Sequence, residues 1–136
     1  MYPYHLNICN PVGLFKLKDG RYQLIKKGKV EPLMVGFDYV IAEKELADYF
    51  KSLNIERVSY EAAVIFDRSN HIEYLNYVKL NIKQHFDSEQ IKDVDLDGKR
   101  FLVMDNQYLF VSPELKLILD KSDFSFVLTE GLAGFG

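Results

Sequence analysis

The segment from Tyr108 to Leu128, YLFVSPELKLILDKSDFSFVL, constrains the fold more than any other stretch of the chain. Its first four residues are aromatic or aliphatic, as is typical of a buried strand. The side-chain oxygen of Ser112 is predicted to cap the free amides of a helix start, and Pro113 suits the first helical position because a backbone N–H would lack a partner there. The apolar residues that follow share one helical face: Leu115, Ile118 and Leu119. The sequence therefore predicts a helix from about Pro113 to Lys121, followed by a strand of alternating residues from Phe124 to Leu128.

A second segment, from Asp38 to Tyr60, follows the same plan. An apolar strand from Tyr39 to Ile41 leads into a predicted helix from about Glu43 to Leu53, whose apolar residues again recur at helical spacing. Alternating apolar residues then lead into an outgoing strand. The two units are either duplicated or convergent, because burial imposes the same two periods on any strand–helix–strand unit.

Shorter strands and tight turns account for the rest of the chain. Asp19-Gly20 and Asp97-Gly98 each stand between apolar runs, which is a strong signal for a hairpin turn. Pro32 places the run around it at the edge of a sheet, because proline cannot donate to the ladder. The expected fold is α+β, a mainly antiparallel sheet with two helices packed on one side and two strand–helix–strand units. The predicted core is Leu46, Phe50, Val58, Tyr74, Val78, Phe101, Val103, Phe110, Leu115, Ile118 and Phe126.

Length and composition predict one globular domain spanning residues 1–136. The formal net charge of −3 argues against a dedicated nucleic-acid-binding protein, which would usually show a basic face. No apolar run approaches the roughly 20 residues that a membrane-spanning helix needs, so we expect no membrane association. Cys9 is the only cysteine, which excludes an internal disulfide, and the first ten residues do not resemble a signal peptide. We therefore expect a cytoplasmic protein.

Some residue clusters have part of the spacing of a metal site. Three aspartates and a glycine match the start of a calcium-binding loop: Asp93, Asp95, Asp97 and Gly98. The twelfth position of such a loop should carry a bidentate glutamate, but it is Met104 here. His5 and Cys9 lie four residues apart, and His71 and Glu73 lie two apart. Zinc needs three or four ligands, so neither pair is sufficient, and we expect no metal site.

Evidence for catalysis is equally incomplete. Asp87 could orient His85 as a general base, but no serine or cysteine nucleophile is marked by a strained glycine turn. The basic turn Lys26–Lys29 favours a solvated loop over a phosphate site, because it holds one glycine and no helix follows it. We therefore expect no cofactor and no enzymatic activity.

Two groups of acidic residues are candidates for binding a protein partner. They are Glu43, Glu45 and Asp48 on the polar face of the first predicted helix, and Asp93, Asp95 and Asp97 near the second Asp-Gly turn. The ordinary interpretation is a solvated surface stabilised by local ion pairs. The alternative is an acidic surface for a basic protein partner, where complementary charge would speed association and help exclude wrong partners.

The second half of the chain resembles the Immunity protein 43 family of small bacterial proteins associated with polymorphic toxins. The resemblance rests, in order, on YLNYVK (Tyr74–Lys79), FDSEQIK (Phe86–Lys92) and FVSPELKLILDKSDFSFVLTE (Phe110–Glu130). It extends from about Asp38 to Leu128. The resemblance implies that the protein binds and masks a cognate toxin, and it brings no catalytic residues.

Three functions follow as hypotheses. The first is a non-enzymatic protein-binding domain of the immunity type, whose partner is a protein such as a basic toxin domain. The second is a structural or adaptor domain that self-associates as a homodimer through its many aromatic residues, nine tyrosines and ten phenylalanines. The third is a small hydrolase or transferase with a site around His71 and His85.

Overall fold

The computed structural model of the chain describes residues 1–8, 11–25 and 29–135. Cys9 and most of the basic turn Lys26–Lys29 lie outside the described residues, so the interpretations of both remain predictions. The described residues form two sheets, two α-helices and two short 3₁₀ helices, Ser88–Gln90 and Ala133–Phe135. None of these helices is long and apolar enough to cross a membrane.

The first sheet contains the N-terminal strand and most of the C-terminal half of the chain. Its strands are β1 (Tyr4–Asn7), β8 (His85–Phe86), β9 (Phe101–Met104), β10 (Tyr108–Val111) and β11 (Val127–Glu130). Their spatial order is β11-β1-β10-β9-β8. All neighbours are antiparallel except β8 and β9, which pair in parallel. The N-terminal strand therefore lies between β10 and β11.

The second sheet contains the middle of the chain. Its strands are β2 (Leu14–Lys16), β3 (Tyr22–Leu24), β4 (Leu33–Gly36), β5 (Tyr39–Glu43), β6 (Val58–Asp67) and β7 (Ile72–Ile82). Their order is β2-β3-β6-β7-β5-β4, and only β3 and β6 are parallel. β4 is an edge strand, as Pro32 predicts. β6 and β7 form a long hairpin that extends past the end of β5.

Each helix joins two strands, as the sequence predicts. Helix α1 (Lys44–Ser52) lies between β5 and β6, and helix α2 (Pro113–Asp120) lies between β10 and β11. Their buried residues fall at helical spacing: Leu46, Ala47 and Phe50 in α1, and Leu115 and Leu119 in α2. Both helices therefore pack one apolar face into the core.

The main core lies between the two sheets and includes the buried faces of both helices. Phe50 of α1 meets Phe101 of β9 edge to face, with ring centroids 5.0 Å apart. A second cluster fills the far side of the second sheet beneath β2 and β3, and a third covers the outer face of the first sheet. Removing these apolar side chains from water is the main source of stability.

The structure confirms the α+β class, the mostly antiparallel pairing and both strand–helix–strand units. Seven predicted core residues are buried: Leu46, Phe50, Val78, Phe101, Val103, Phe110 and Leu115. The other four are half-buried: Val58, Tyr74, Ile118 and Phe126. The division of the strands into two sheets was not predicted, because it depends on contacts between distant parts of the chain.

The hairpin predicted at Asp97-Gly98 is wrong. Gly98 does turn the chain with φ +78°, but the segment between the 3₁₀ helix Ser88–Gln90 and this turn contains no strand. Val94 and Leu96 instead pack over the outer face of the first sheet, beside Phe86. Their alternation therefore reflects a loop that covers a sheet. By contrast, Asp19-Gly20 does join two strands, β2 and β3.

The last strand begins later than predicted. Phe124 and Phe126 precede β11, which starts at Val127. These two rings pack against the main core, although the loop that carries them pairs with no strand. The ring centroids of Phe124 and Tyr49 lie 5.2 Å apart. Their alternation therefore reflects burial of alternate side chains without a neighbouring strand.

Candidate protein-binding surfaces

The first acidic group lies at the start of α1. Glu43 ends β5 and is half-buried, whereas Glu45 and Asp48 are exposed on the helix. Lys44 Nζ donates to Asp48 Oδ2 over 2.8 Å, and this hydrogen bond lowers the pKa of Asp48. Of the three, Asp48 is thus partly neutralised within its own helix, as the ordinary interpretation of a solvated face predicts.

The second acidic group lies in the loop before β9. Asp93, Asp95 and Asp97 are all exposed. Asp95 Oδ2 lies 3.2 Å from Arg100 Nη2, and the backbone carbonyl of Asp97 accepts a hydrogen bond from Arg100 Nε. The side chain of Arg100 is only 10% exposed, so this guanidinium anchors the loop to the sheet. Asp95 therefore has a structural role that the sequence did not reveal.

Glu56 adds a further carboxylate beside Arg100. Its Oε2 lies 3.9 Å from Arg100 Nη2, and its backbone N–H donates to the carbonyl of Lys99 over 2.9 Å. This contact joins the connection after α1 to the acidic loop. Sequence reasoning missed Glu56 and Arg100, because residues 44 positions apart give no local signal. Among described residues, no hydrogen bond or ion pair links the loop aspartates to the acidic residues of α1.

Ser112 stands at the N-cap of α2, but its hydroxyl does not cap the helix. The Oγ donates to the carbonyl of Gly98 over 2.6 Å and accepts the backbone N–H of Arg100 over 2.9 Å. The predicted side-chain cap is therefore wrong. The hydroxyl is fully buried, and it holds the Asp97-Gly98 turn against the start of the helix.

Neither the calcium-like spacing of the aspartates nor the spacing of the histidines corresponds to a cluster of ligands among the described residues. Asp95 is held by Arg100, and no group of three or more potential metal ligands occurs among the described residues. His71 and His85 lie beyond opposite ends of β7, a strand of 11 residues that spans roughly 33 Å. The structure therefore does not bring these two histidines together.

His85 instead lines a cleft at one end of the main core, called here the end cleft. Its ring Nε2 lies 2.9 Å from the carbonyl oxygen of Ile82. Asp87 does not orient this ring: it is the N-cap of the 3₁₀ helix, and its backbone N–H donates to Gln90 Oε1 over 2.9 Å. The cleft has a volume of about 170 Å³ and is bordered by residues of both sheets.

An exposed apolar surface lies on the long β6–β7 hairpin. Near the middle of the hairpin the pairing shifts, from Ala63 opposite Tyr77 to Ile65 opposite Tyr74. Leu75 and Asn76 thus form a bulge opposite a single residue of β6, and such bulges redirect side chains. The Leu75 side chain is 71% exposed.

One face of this hairpin is covered, and the other is covered only at its two ends, where Tyr60 packs against the main core and Arg21 lies over Phe66. Ala63 and Ile65 are buried against the cluster beneath β2 and β3. Strand alternation places the intervening residues on the opposite face. We call this face, together with the bulged leucine, the ribbon surface: Tyr60, Ala62, Val64, Phe66 and Leu75. Ala62, Val64 and Leu75 belong to none of the three clusters formed by described residues.

Charged side chains border the ribbon surface at both ends. At the α1 end, Lys44 and Lys51 line a groove of about 260 Å³ beside Ala62 and Leu75. Lys51 Nζ lies 5.3 Å from the centre of the Tyr60 ring, a cation–π distance. The ion pair of Lys44 brings Asp48 to this border, so one predicted acidic residue adjoins the apolar surface.

At the far end, Arg21 covers Phe66, with Cζ 4.6 Å from the ring centre. Asp19 and Glu73 hold this guanidinium at 2.9 and 2.8 Å. An arginine fixed over an aromatic ring at the edge of an apolar face is a common composition for a protein interface.

Tyr77 lies behind the bulge with its hydroxyl donating to the carbonyl of Glu31 over 3.2 Å. Burial, followed by the charges of Glu43, Tyr74 and Glu31, raises the pKa of Tyr77 to about 12. Glu43, a predicted partner-binding residue, pairs with Tyr77 across β5 and β7, close enough for its charge to contribute to this shift.

Comparisons with protein-family models, with curated proteins and with solved structures found no match.

Proposed function

We propose that the chain is a non-enzymatic protein-binding domain of the immunity type, which masks a partner protein. The observation that carries this proposal is the exposed apolar face of the β6–β7 hairpin, with Leu75 71% exposed at its centre. A contiguous apolar face bordered by charged side chains is typical of a surface that a partner covers. The immunity role itself rests on the family resemblance.

The partner's expected contact has an apolar centre and a charged border. Leu75 and the half-buried Val64 would lose water on binding, which supplies the favourable free energy. Arg21 stacked on Phe66 offers a preformed aromatic and cationic contact beside them. Masking then follows from steric coverage, and no chemical step is needed.

The acidic residues make a second, electrostatic contribution to the proposed binding. Asp48 adjoins the ribbon surface through Lys44, and Glu45 stands exposed on the same helix. A basic partner, such as a toxin domain, would be attracted to such carboxylates before it docks. Charges at the border of an interface mainly change the association rate and its salt dependence.

The test is capture of a partner from the native lysate by the tagged protein, read by mass spectrometry. Leu75→Glu places a charge in the centre of the ribbon surface and is expected to abolish capture. Leu117→Glu is the matched control, since Leu117 is 59% exposed on α2, outside this surface. A partner retained equally by both variants would contradict the assignment of the surface.

The same experiment separates binding of a foreign partner from self-association. If the wild-type protein is recovered alone at a mass above the monomer, and Leu75→Glu returns it to the monomer, the occupant of the ribbon surface is a second copy of the chain. In that case the immunity role is wrong, and the structural or adaptor hypothesis replaces it.

A further inference from the structure

The end cleft has an aliphatic inner wall that belongs to the main core. It lies where β7 and the β4–β5 turn of the second sheet face β8, β9 and the β9–β10 turn of the first. The wall is formed by Val35, Val40, Leu80, Ile82 and Val103. An apolar cavity of about 150 Å³ is large enough to hold benzene. At about 170 Å³, the end cleft fits one apolar group of the size of a leucine or phenylalanine side chain.

The rim of the cleft is polar, and its position is fixed by a contact between the two sheets. Asp38 and Asn106 have left-handed backbone conformations, with φ of +66° and +59°. The backbone N–H of Asp38 donates to the carbonyl of Asn106 over 2.9 Å. This bond ties the β4–β5 turn to the β9–β10 turn across the mouth. Aspartate and asparagine tolerate such φ values better than other residues with a side chain.

Two charged residues of opposite sign stand on this rim. Asp38 and Lys83 both line the cleft, and neither forms an ion pair with the other or with any residue in the described ranges. Lys79 also borders the cleft, but its Nζ lies near the ring of Tyr22, on the far face of the sheet. The rim therefore offers one carboxylate and one ammonium group that do not neutralise each other.

We propose that the end cleft binds a small zwitterion with an apolar side group, the chemistry of an apolar α-amino acid. Lys83 receives the carboxylate, Asp38 receives the ammonium group, and the side group packs on the aliphatic wall. Asn81 and Asn106, whose amide groups can donate and accept hydrogen bonds, also line the cleft. This inference is independent of the ribbon surface and of the proposed protein partner.

The test is titration of the ¹⁵N-labelled full chain with L-phenylalanine and L-leucine, followed by amide chemical shifts. Saturable shifts are expected at Asp38, Asn81, Lys83 and Asn106. Asp38→Asn, which retains the left-handed turn, and Lys83→Gln should each weaken binding about tenfold, because each removes one charge-assisted contact. Phenylacetate and phenethylamine, which each carry one charge, should bind about tenfold more weakly than phenylalanine.

Lys121→Gln is the matched control, because Lys121 is exposed outside the cleft and its loss should leave the affinity unchanged. Absence of saturable shifts at millimolar ligand would overturn the proposal. Unaltered affinity in both Asp38→Asn and Lys83→Gln would overturn it too. If phenylacetate or phenethylamine binds as tightly as phenylalanine, the cleft recognises only one charge of the ligand. That result would refute the proposal that it binds a zwitterion.

Discussion

His5 is a partly buried titratable residue on the outer face of β1. Its ring centroid lies 4.6 Å from that of Phe135 and 5.1 Å from that of Phe110, and its Nδ1 has no described hydrogen-bond partner. Burial lowers the pKa of His5. The aromatic surroundings therefore favour the neutral ring.

This lowered pKa predicts a pH-dependent stability. Below the ordinary histidine pKa of about 6.5, the unfolded chain binds a proton that the folded chain does not. The free energy of unfolding should therefore fall as pH drops below that value. Above that value His5 is neutral in both the folded and the unfolded chain, so it should cause no further change in stability. Denaturant unfolding between neutral and mildly acidic pH measures this slope. His5→Phe should reduce it, and His71→Gln, at an exposed turn, serves as the control. An unchanged slope in His5→Phe would refute the prediction.

Arg100 organises the acidic loop through contacts with Asp95, Asp97 and Gln84. Arg100→Met should lower the free energy of unfolding by about 2 kcal/mol, because it leaves the buried Gln84 Oε1 and the part-buried carbonyl of Asp97 without this donor. Arg68→Met, at the exposed β6–β7 turn, should change it by less than about 0.5 kcal/mol. Urea unfolding compares the two variants. Equal effects would show that Arg100 is an ordinary surface charge.

Charge reversal tests the role of the acidic residues without disturbing Arg100. Asp93→Lys with Asp97→Lys, and separately Glu45→Lys, retain Asp95 and its ion pair. If the partner is basic, each should slow association several-fold at low salt and have little effect on dissociation. Stopped-flow or surface-binding kinetics at two salt concentrations measures this. An unchanged association rate would show that these residues do not belong to the binding surface.

At the scale of elements, local patterns predicted α1 and α2 to within about one residue of their observed ends. Helical periodicity and the Ser-Pro start are carried by adjacent residues, so no distant contact is needed. The ribbon surface was not predicted, because the exposure of Leu75 depends on a bulge in the pairing of β6 with β7. The side-chain cap predicted at Ser112 fails for the same reason, because its hydroxyl donates to the carbonyl of Gly98, 14 residues away in sequence.

Tyr39 connects two elements that are distant in sequence. Its hydroxyl donates to the carbonyl of Val12 over 3.0 Å and accepts the backbone N–H of Leu14 over 3.2 Å. Tyr39→Phe leaves both buried backbone groups unpaired and should cost about 1–3 kcal/mol of stability. Tyr49→Phe, whose hydroxyl bonds no described residue, should be nearly neutral. Thermal or urea unfolding distinguishes them, and equal stability of the two variants would contradict this role for Tyr39.

At the scale of the whole molecule, two sheets and two helices enclose one main core, while the distal half of the β6–β7 hairpin extends past β5. β2 and β3 cover one face of that half, and the middle of the ribbon surface, Ala62, Val64 and Leu75, remains uncovered by described residues on the other. The two groups of acidic residues were identified from the sequence, but tertiary structure decides which of them adjoins the ribbon surface. The proposed function therefore rests on a surface that only the fold creates.

The most direct test of this function is the affinity of the captured partner for three forms of the protein. Isothermal titration should give similar affinities for the wild-type protein and Leu117→Glu, and at least a tenfold loss for Leu75→Glu, as expected for a charge placed in the centre of an interface. Circular dichroism should show that all three are folded. Equal affinity of the Leu75→Glu variant and the wild-type protein would contradict binding through the ribbon surface.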